Sequence, residues 1–511
     1  MIFYFLSLSF FFIKPLAPLA AIGGYALFWK GLQNEKRPFL AALLWFSAIH
    51  AVDLSWLLSF DYHGIYIIAV YVLLILLFAL PFALVPFRSK EIWILTSYFV
   101  MVEYAIQHFL LCGFTMQQIG LLLTRNLYSA QLASISGVLG LTGYVIWTNL
   151  FMLRARHFGV LLGVAFFPYL FGWGHIAWHS KEIDKAPRIK VALVQTGLRS
   201  EEKRPLGSLE TFISPYEQWR RIITYLSKEK KYDLIVLPEV AVPFDAERGI
   251  YEKEIVEQIF FKITGKCPVF KHRFLSNLDI AKGLASHFQA EVVIGLIDGK
   301  TNSAFFIKEE VVEKYVKQIL LPMAETLPFE SLRKISMHYG VGGFLTEGKE
   351  SVVFSSGLNI SPSICYEEML SHIVREGRMK GGTLFVNLSN DVWFPSTRLP
   401  VKHFITSRIR SIENGVPLLR SCNTGITTAI DSLGRSLGAF HVDKDYEWAK
   451  GVLVAQVPIY HYDTVYLFFG EQILLGLSGF CLMFYPLRKI ISKHMLNNNT
   501  KIAQWYYGRS S

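Results

Sequence analysis

The chain is poor in charged residues and in cysteine. Only 18% of its 511 residues are Asp, Glu, Lys or Arg, whereas 52% are hydrophobic, which argues against an ordinary soluble protein. The five cysteines are scattered, so they do not form a disulfide framework. No CxxC motif or clustered His/Cys spacing indicates a metal site, and we expect neither a metal nor a cofactor. Internal repeats and low-complexity tracts are also missing.

Long apolar runs fill the first third of the chain. Runs of about 20 apolar residues match the hydrocarbon thickness of a bilayer. The first run has neither a basic start nor a small-residue cleavage site, so we interpret it as a retained helix rather than a signal peptide. The predicted spans are residues 2–13, 16–33, 38–58, 64–85, 91–111, 134–153, 158–178 and 464–487.

Basic residues in the short loops predict the orientation of these spans. Cytoplasmic loops are enriched in Lys and Arg, and such residues follow every second span. They are Lys30, Lys36, Arg37, Arg88, Lys90, Arg154, Arg156, Arg488, Lys489 and Lys493. Residues 180–462 are therefore expected outside the cytoplasm. The net charge of +11 partly reflects this topology, so it is poor evidence for nucleic-acid binding.

The segment after the seventh span alternates between strand and helix patterns. The predicted strands are 188–195, 233–237, 291–296, 303–308, 358–364, 383–388, 417–421, 426–431 and 451–457. The predicted helices are 215–228, 277–288 and 400–414. This alternation favours one α/β domain whose sheets are covered by helices.

Three strand ends carry reactive side chains. Cys365 ends a buried strand, where α/β folds place their chemistry, although a free cysteine is often a small core residue. Glu239 follows DLIVLP and is either a general base or a turn carboxylate. Lys317 is either a buried cation or a surface lysine on a strand edge. Together they can take up a thiol proton and stabilise an oxyanion.

Four sequence blocks resemble the signature blocks of the nitrilase, or carbon-nitrogen hydrolase, superfamily. They are PEVAVPF at 238–244, YVKQILLPMAE at 315–325, ICYEE at 364–368 and SNDVWF at 389–394. With seven spans before the domain and one after it, the chain is similar to the membrane branch, the apolipoprotein N-acyltransferase family. The segment RIRSIENGVPLLRSCNTGITTAIDSLGR at 408–435 is also similar to that family.

The resemblance implies a polytopic α-helical membrane protein that carries an α/β nitrilase-like domain, an αββα sandwich. Residues 1–179 would form a transmembrane domain of seven helices. Residues 180–462 would form the periplasmic catalytic domain, and residues 463–511 a C-terminal transmembrane helix with a basic cytoplasmic tail. The implied location is the bacterial inner membrane.

The resemblance also implies residue roles. Glu239 matches the family's general base, Lys317 its catalytic lysine and Cys365 its nucleophile. The implied supporting residues are Glu325, which would assist the lysine, Glu367 just past the nucleophile, and Tyr366 and Trp393 near the mouth of the site. Trp393 and Phe394 are alternatively simple core residues, and Asn390 and Asp391 a turn.

The implied reaction is acyl transfer in two halves. Membrane phospholipids would donate an acyl chain to Cys365 as a thioester, and the α-amine of an N-terminal diacylglyceryl-cysteine on apolipoproteins would accept it. This is the last step of lipoprotein maturation. We expect a monomer with no nucleic-acid partner. Two alternatives stay open: a membrane-tethered amidase or nitrilase that transfers to water, and a non-catalytic scaffold.

Several positions depart from the family pattern or stay undecided. Met323 and Ala324 stand where the family usually has phenylalanine and glycine, and Leu237 and Gln318 replace tryptophan and asparagine. We expect these changes to affect substrate preference and loop mobility rather than the reaction. Three further questions concern a Cys267–Cys422 disulfide, a helix or head-group partner for Glu103, and an interfacial role for His175 and His179.

Overall fold

The computed structural model describes most of the chain. The described residues are 2–13, 16–85, 91–110, 113–154, 157–204, 211–322, 324–326, 344–355 and 357–484. Some predictions concern residues outside these ranges: the basic residues Arg88, Lys90, Arg156, Arg488, Lys489 and Lys493, the loop residue Met323, and the cytoplasmic tail.

Apolar helices build the first third of the structure. Their bounds are Ile2–Phe12, Ala17–Leu19, Tyr25–Leu32, Pro38–Asp53, Ile67–Ala83, Ile92–Phe109, Leu127–Ala130, Ala133–Met152 and Phe158–Lys185. A π turn at Ala20–Gly24 and 3-10 turns at Ser55–Leu57 and Ile119–Arg125 interrupt them. Every predicted span before residue 180 contains one of these helices, but the interruptions shorten several of them.

Two helices among the described residues are long and apolar enough to cross a bilayer. They are Ala133–Met152, which is largely buried, and Phe158–Lys185, which is largely exposed. The shorter apolar helices are Ile2–Phe12, Pro38–Asp53, Ile67–Ala83 and Gln472–Phe484. The eighth predicted span is broken at Gly470, where φ is +54°. The prediction of eight full-length spans is therefore met only in part.

Glu103 is buried against its helical neighbours. Its carboxylate accepts hydrogen bonds from the backbone N–H of Ile119 at 2.6 Å and from the hydroxyl of Thr142 at 2.5 Å. Since a buried carboxylate needs such donors, the question left by the sequence is answered: Glu103 pairs within the helical region rather than with lipid head groups.

Two sheets lie face to face in the second part of the chain. One has the strand order β13-β1-β2-β5-β6-β7 and the other β12-β11-β10-β9-β8. The strands are β1 Arg188–Gln195, β2 Leu234–Val236, β3 Tyr251–Glu252, β4 Phe274–Leu275, β5 Glu291–Asp298, β6 Thr301–Lys308, β7 Val311–Val316, β8 Ile360–Ile364, β9 Leu384–Ser389, β10 Leu418–Cys422, β11 Thr428–Ile430, β12 Ser436–Ala439 and β13 Gly451–Pro458.

Apolar side chains from both sheets form the inner core. Val191, Val236 and Val293 of the first sheet pack with Ile364 and Val386 of the second. Helices cover the outer faces, because the opposite face of the central strands is also apolar. Helices Pro215–Leu226, Lys253–Thr264 and Asn277–Phe288 belong to the first sheet's side, and Ser371–Met379 and Leu399–Asn414 to the second's. The predicted αββα sandwich is confirmed.

The first and last long strands of the domain are partners. β1 pairs antiparallel with β13 over its whole length, from Arg188 opposite Pro458 to Gln195 opposite Gly451. The predicted boundaries of these strands, of the helix 277–288 and of the paired strands around Asp298 agree with the structure. The helix Lys253–Thr264 was not predicted, although its sequence is amphipathic.

The helices over the second sheet also contact the N-terminal helices. Thr115 donates to the backbone oxygen of Met369 at 2.8 Å, and Gln107 to the hydroxyl of Ser371 at 3.0 Å. On the neighbouring helix, Glu413 accepts from the backbone N–H of Val138 at 3.0 Å. The N-terminal region therefore forms the outer support of the sheet that carries Cys365.

Candidate active site

The three candidate residues lie at the carboxyl ends of strands. Glu239 follows β2 after two residues, Lys317 follows β7 and Cys365 follows β8. Within each sheet the central strands are parallel neighbours, β1-β2-β5 in one and β8-β9-β10 in the other, so their carboxyl ends share an edge. This arrangement brings residues that are distant in sequence into one site.

Lys317 is the centre of the charged cluster. Its side chain is completely buried, and its Nζ lies 3.2 Å from Oε1 of Glu239 and 2.7 Å from Oε2 of Glu325. Burial by itself lowers the pKa of Lys317, but the two carboxylates outweigh burial and hold that pKa well above its usual value. Burial likewise opposes ionisation of Glu325, yet the Lys317 charge keeps the Glu325 pKa below its usual value. Lys317 is therefore a fixed cation.

Asn302 is a member of the cluster that the sequence reasoning missed. Its amide donates to Oε1 of Glu239 at 2.7 Å and to Oε1 of Glu325 at 2.9 Å. A second bond to Glu325 comes from the backbone N–H of Leu321 at 2.9 Å. These bonds fix the two carboxylates on either side of Lys317. The sequence signal that could have pointed to Asn302 is an asparagine within the apolar strand β6.

Cys365 occupies a sharp turn between strand and helix. It is the first residue of the 3-10 helix Cys365–Met369 and has φ +53°, a left-handed conformation that is costly for a residue with a side chain. The amide of Asn387 donates to the backbone oxygen of Cys365 at 3.2 Å, and Sγ lies 3.9 Å from the oxygen of Asn390. These contacts help to keep the backbone of Cys365 in its strained conformation.

The surroundings of Cys365 favour its protonated thiol over the thiolate. Burial raises its pKa most, the charge of Glu239 raises it further, and Lys317 opposes both, so that the pKa stays well above its usual value. Because a thiolate is the reactive form, the proton must leave as the substrate is attacked. Glu239 is the carboxylate of the cluster that acts most strongly on this thiol.

Glu367 joins the turn at Cys365 to the segment that contains Lys317. Its carboxylate accepts backbone N–H groups of Ile364 at 2.7 Å, Gln318 at 2.5 Å and Ile319 at 3.2 Å. Burial raises the pKa of Glu367 to about 7 despite these bonds. Glu367 thus links the segment that follows β7 to the segment that follows β8 through these hydrogen bonds.

The aromatic candidates contact the N-terminal region. Tyr366 is buried and its hydroxyl donates to the backbone oxygen of Gly113. The ring of Trp393 lies 5.8 Å from that of Tyr62. The ring of Phe394 lies 4.6 Å from His63 and shares an apolar cluster with Tyr366. The alternative that Trp393 is ordinary domain core is therefore not supported, because its ring partner belongs to another region.

A buried ionic network lies next to the 3-10 turn Cys365–Met369. Nε of Arg420 lies 2.8 Å from Oε1 of Glu368, and its Nη2 lies 3.4 Å from Oδ2 of Asp391. Asp391 also contacts Nδ1 of His403 at 2.6 Å. Asp391, which the sequence left as a possible turn residue, is thus part of the support of the site. The network connects the turn after β8 with the loop after β9.

Lys203 and Gly295 lie beside Glu239. Nζ of Lys203 donates to the backbone oxygen of Glu239 at 3.3 Å, and burial lowers the pKa of Lys203 to about 7. A Cβ on Gly295 would lie 2.7 Å from Cα of Glu239 and 2.7 Å from the oxygen of Pro238. Glu239 is therefore held from two sides, and position 295 accepts only glycine without a backbone shift.

The structure answers the question on Cys267 and Cys422 and gives the contacts of the two histidines, whose interfacial role stays a prediction. Cys267 is exposed and Cys422 is buried, and both are free thiols. His175 contacts Oε1 of Gln131 at 3.0 Å, and His179 contacts the hydroxyl of Tyr460 at 2.8 Å. No group of three or more metal-binding side chains occurs in the described part of the chain.

An αββα sandwich with Glu, Lys and Cys at its strand ends defines a carbon-nitrogen hydrolase domain. Residues 190–463 match the carbon-nitrogen hydrolase family model, and residues 2–151 match the model of the apolipoprotein N-acyltransferase N-terminal domain. The chain belongs to the apolipoprotein N-acyltransferase family.

Relatives match over nearly the whole chain. An apolipoprotein N-acyltransferase from Chlamydia caviae is 32% identical over 502 residues, covering 90% of this chain and 91% of the relative. One from Shewanella oneidensis is 25% identical over 495 residues, covering 90% and 89%. A solved amidase from Nesterenkonia sp. is 17% identical, covers 57% of this chain and 96% of that chain, and has a TM-score of 0.36.

Proposed function

We propose that the chain N-acylates apolipoproteins by transferring an acyl group from a membrane phospholipid to the α-amine of their N-terminal diacylglyceryl-cysteine. The observation that carries this proposal is the contact of buried Lys317 with Glu239, beside the strained Cys365 turn. Family membership supplies the class of substrate.

The first half-reaction forms a thioester. Sγ of Cys365 attacks the ester carbonyl of the phospholipid as Glu239 takes the thiol proton. Lys317 stabilises the oxyanion together with a backbone amide, for which we propose that of Tyr366. Glu239 then returns the proton to the alkoxide of the departing lysophospholipid. The acyl group stays on Cys365.

The second half-reaction makes the amide. The free α-amine of the acceptor attacks the thioester carbonyl, and Glu239 takes a proton from the attacking nitrogen. The oxyanion collapses, the C–S bond breaks, and Sγ of Cys365 recovers a proton from Glu239. Because Lys317 contacts both Glu239 and Glu325, it keeps its charge through both halves.

The same proposal places the chain across the bacterial inner membrane, with residues 1–179 and the helix after 463 in the bilayer and residues 180–462 on the periplasmic side. Exposed apolar side chains on Phe158–Lys185, such as Phe166, Leu170 and Trp173, support a lipid-facing surface. Both substrates are lipids, so a site at this surface reaches them directly.

Water must stay away from the thioester, because hydrolysis would release a fatty acid. Phe394 packs between Trp56, at a ring distance of 4.9 Å, and His63, and Trp393 contacts Tyr62. We propose that this aromatic contact shields the acyl-enzyme. The shield favours transfer over the alternative of a membrane-tethered hydrolase.

The test is incubation of the purified protein with phospholipid, followed by mass measurement of the peptide that contains Cys365. Transfer predicts an acyl adduct that disappears on addition of a diacylglyceryl-cysteine peptide, with N-acyl peptide as the product. Cys365→Ala should lose the adduct, and Cys267→Ala, the matched control at an exposed cysteine, should keep it. Free fatty acid without N-acyl peptide would instead establish a hydrolase.

A further inference from the structure

A cavity lies where the N-terminal helices meet the start of the helix Leu399–Asn414. Its volume is about 110 Å³, which suits a group the size of a phosphate and is far below the several hundred Å³ that a larger ligand fills. Part of its wall is apolar, with Phe46, Phe82, Leu122 and Ile405 contributing.

Three charged side chains line this cavity: Arg125, Lys402 and Asp53. Nζ of Lys402 lies 3.7 Å from Oδ1 of Asp53 and donates to the backbone oxygen of the same residue at 2.8 Å. Arg125 is exposed and forms no salt bridge with any residue that the structure describes. The three charges sum to +1, which complements the single negative charge of a phosphodiester.

Two further polar side chains of the cavity lack partners within the described ranges. His50 is only 4% exposed, and neither of its ring nitrogens has a hydrogen bond there. The side-chain nitrogen and oxygen of Gln117 also have no hydrogen-bond partner among the described residues. Because buried polar groups are nearly always paired, these side chains indicate a polar ligand. Cations combined with neutral donors are the usual chemistry of a phosphate site.

The cavity lies close to the 3-10 turn Cys365–Met369. Met116 lines the cavity and also packs in the apolar cluster that contains Tyr366 and Leu399. Lys402 is on the same helix as Leu399. One apolar cluster therefore extends from the cavity wall to Tyr366, the residue next to Cys365, and provides apolar surroundings for the acyl chain of a lipid bound in the cavity.

We propose that this cavity is the subsite for the phosphodiester of the glycerophospholipid acyl donor. Arg125 and Lys402 bind its phosphate oxygens, and His50 and Gln117 donate hydrogen bonds to it. Asp53 limits the positive charge of the subsite, so that the lysophospholipid product can leave. The inference rests on the proposed use of a phospholipid donor.

The experiment compares two acyl donors on the full chain in detergent: phosphatidylethanolamine, and p-nitrophenyl palmitate, which has no phosphate. The readout is formation of the Cys365 thioester. Arg125→Gln should raise KM for the phospholipid about tenfold, the value of one charge-assisted bond, and leave the reaction with p-nitrophenyl palmitate unchanged. Asp53→Asn should act in the opposite direction and lower KM for the phospholipid. The control is Arg248→Gln at an exposed arginine.

Each outcome decides the proposal. An equal loss with both donors, or no change of KM for the phospholipid, overturns the subsite. Inhibition of the wild-type chain by inorganic phosphate but not by glycerophosphoethanolamine overturns it in favour of a free-phosphate site. If only the subsite proposal is wrong, the wild-type chain still forms the Cys365 thioester with phospholipid. If the wild-type chain acylates with neither donor, the proposed function itself fails, and the subsite with it.

Discussion

Arg420 and Glu368 form an ion pair of 2.8 Å in which both side chains are completely buried. Arg420 lies within β10, and Glu368 is in the 3-10 helix Cys365–Met369, three residues after Cys365. Because removal of one partner leaves an unpaired buried charge, Arg420→Met should destabilise the protein by about 3–5 kcal/mol. The double variant Arg420→Met, Glu368→Gln should recover part of that loss. Thermal unfolding in detergent measures both, and strictly additive effects would contradict the coupling.

Gly295→Ala tests how tightly the backbone of Glu239 is held. The added Cβ would lie 2.7 Å from Cα of Glu239 and 3.0 Å from the nitrogen of Val240, and these are backbone atoms that cannot rotate away. A displacement of about 1 Å can cost roughly 100-fold in rate, so thioester formation should fall strongly. Gly357→Ala, with no atom within 4 Å, is the matched control. Equal rates of thioester formation for Gly295→Ala and Gly357→Ala would show that the placement of Glu239 does not depend on Gly295.

Alkylation reports the protonation of Cys365. Because burial, followed by the charge of Glu239, raises its pKa, Cys365 should react with iodoacetamide at pH 7 at least about tenfold more slowly than exposed Cys267. Glu239→Gln removes one cause of the raised pKa and should accelerate alkylation while stopping acylation by phospholipid. Mass spectrometry of both peptides measures the rates. A slower reaction in Glu239→Gln would mean that Glu239 already ionises the thiol in the resting enzyme.

Glu367 should make stability depend on pH. Burial raises its pKa from 4.5 to about 7 in the folded protein, so the folded state keeps the proton that the unfolded chain loses. The stability contributed by the protonated group is complete below pH 4.5 and is lost as pH rises to 7, by roughly 3 kcal/mol. Glu367→Gln should therefore gain stability relative to wild type across this interval. If the difference in melting temperature between wild type and Glu367→Gln were the same at pH 5 and at pH 7.5, the raised pKa of Glu367 would be refuted.

Much of the fold could be predicted from sequence, because the strands of the sandwich are apolar on both faces and end at turn residues. Cys365, Glu239 and Lys317 were found as strand-end residues without knowledge of which strands pair. Asn302 and Arg420 could not be found in this way. Their partners lie in segments that follow other strands of the same sheet, and a buried Asn or Arg in a strand does not indicate which charge it meets.

The helices before residue 180 and after residue 463 were predicted less well for a different reason. Hydropathy gives the position of an apolar run but not the continuity of its helix, and the π turn at Ala20–Gly24 and the break at Gly470 are decided by packing. The contact of Tyr366 with Gly113 likewise depends on how the two regions meet. Such contacts join residues far apart in the chain, and no local pattern encodes them.

The pairing of β1 with β13 brings the two ends of the catalytic domain to one point. Arg188 and Pro458 are opposite each other, so the chain enters and leaves the sandwich at neighbouring positions. A domain with adjacent ends can be inserted into another protein without moving the segments on either side of it. This geometry therefore allows the sandwich to be placed between the N-terminal helices and the helix after residue 463, and experiments can exchange it with another sandwich at the same two positions.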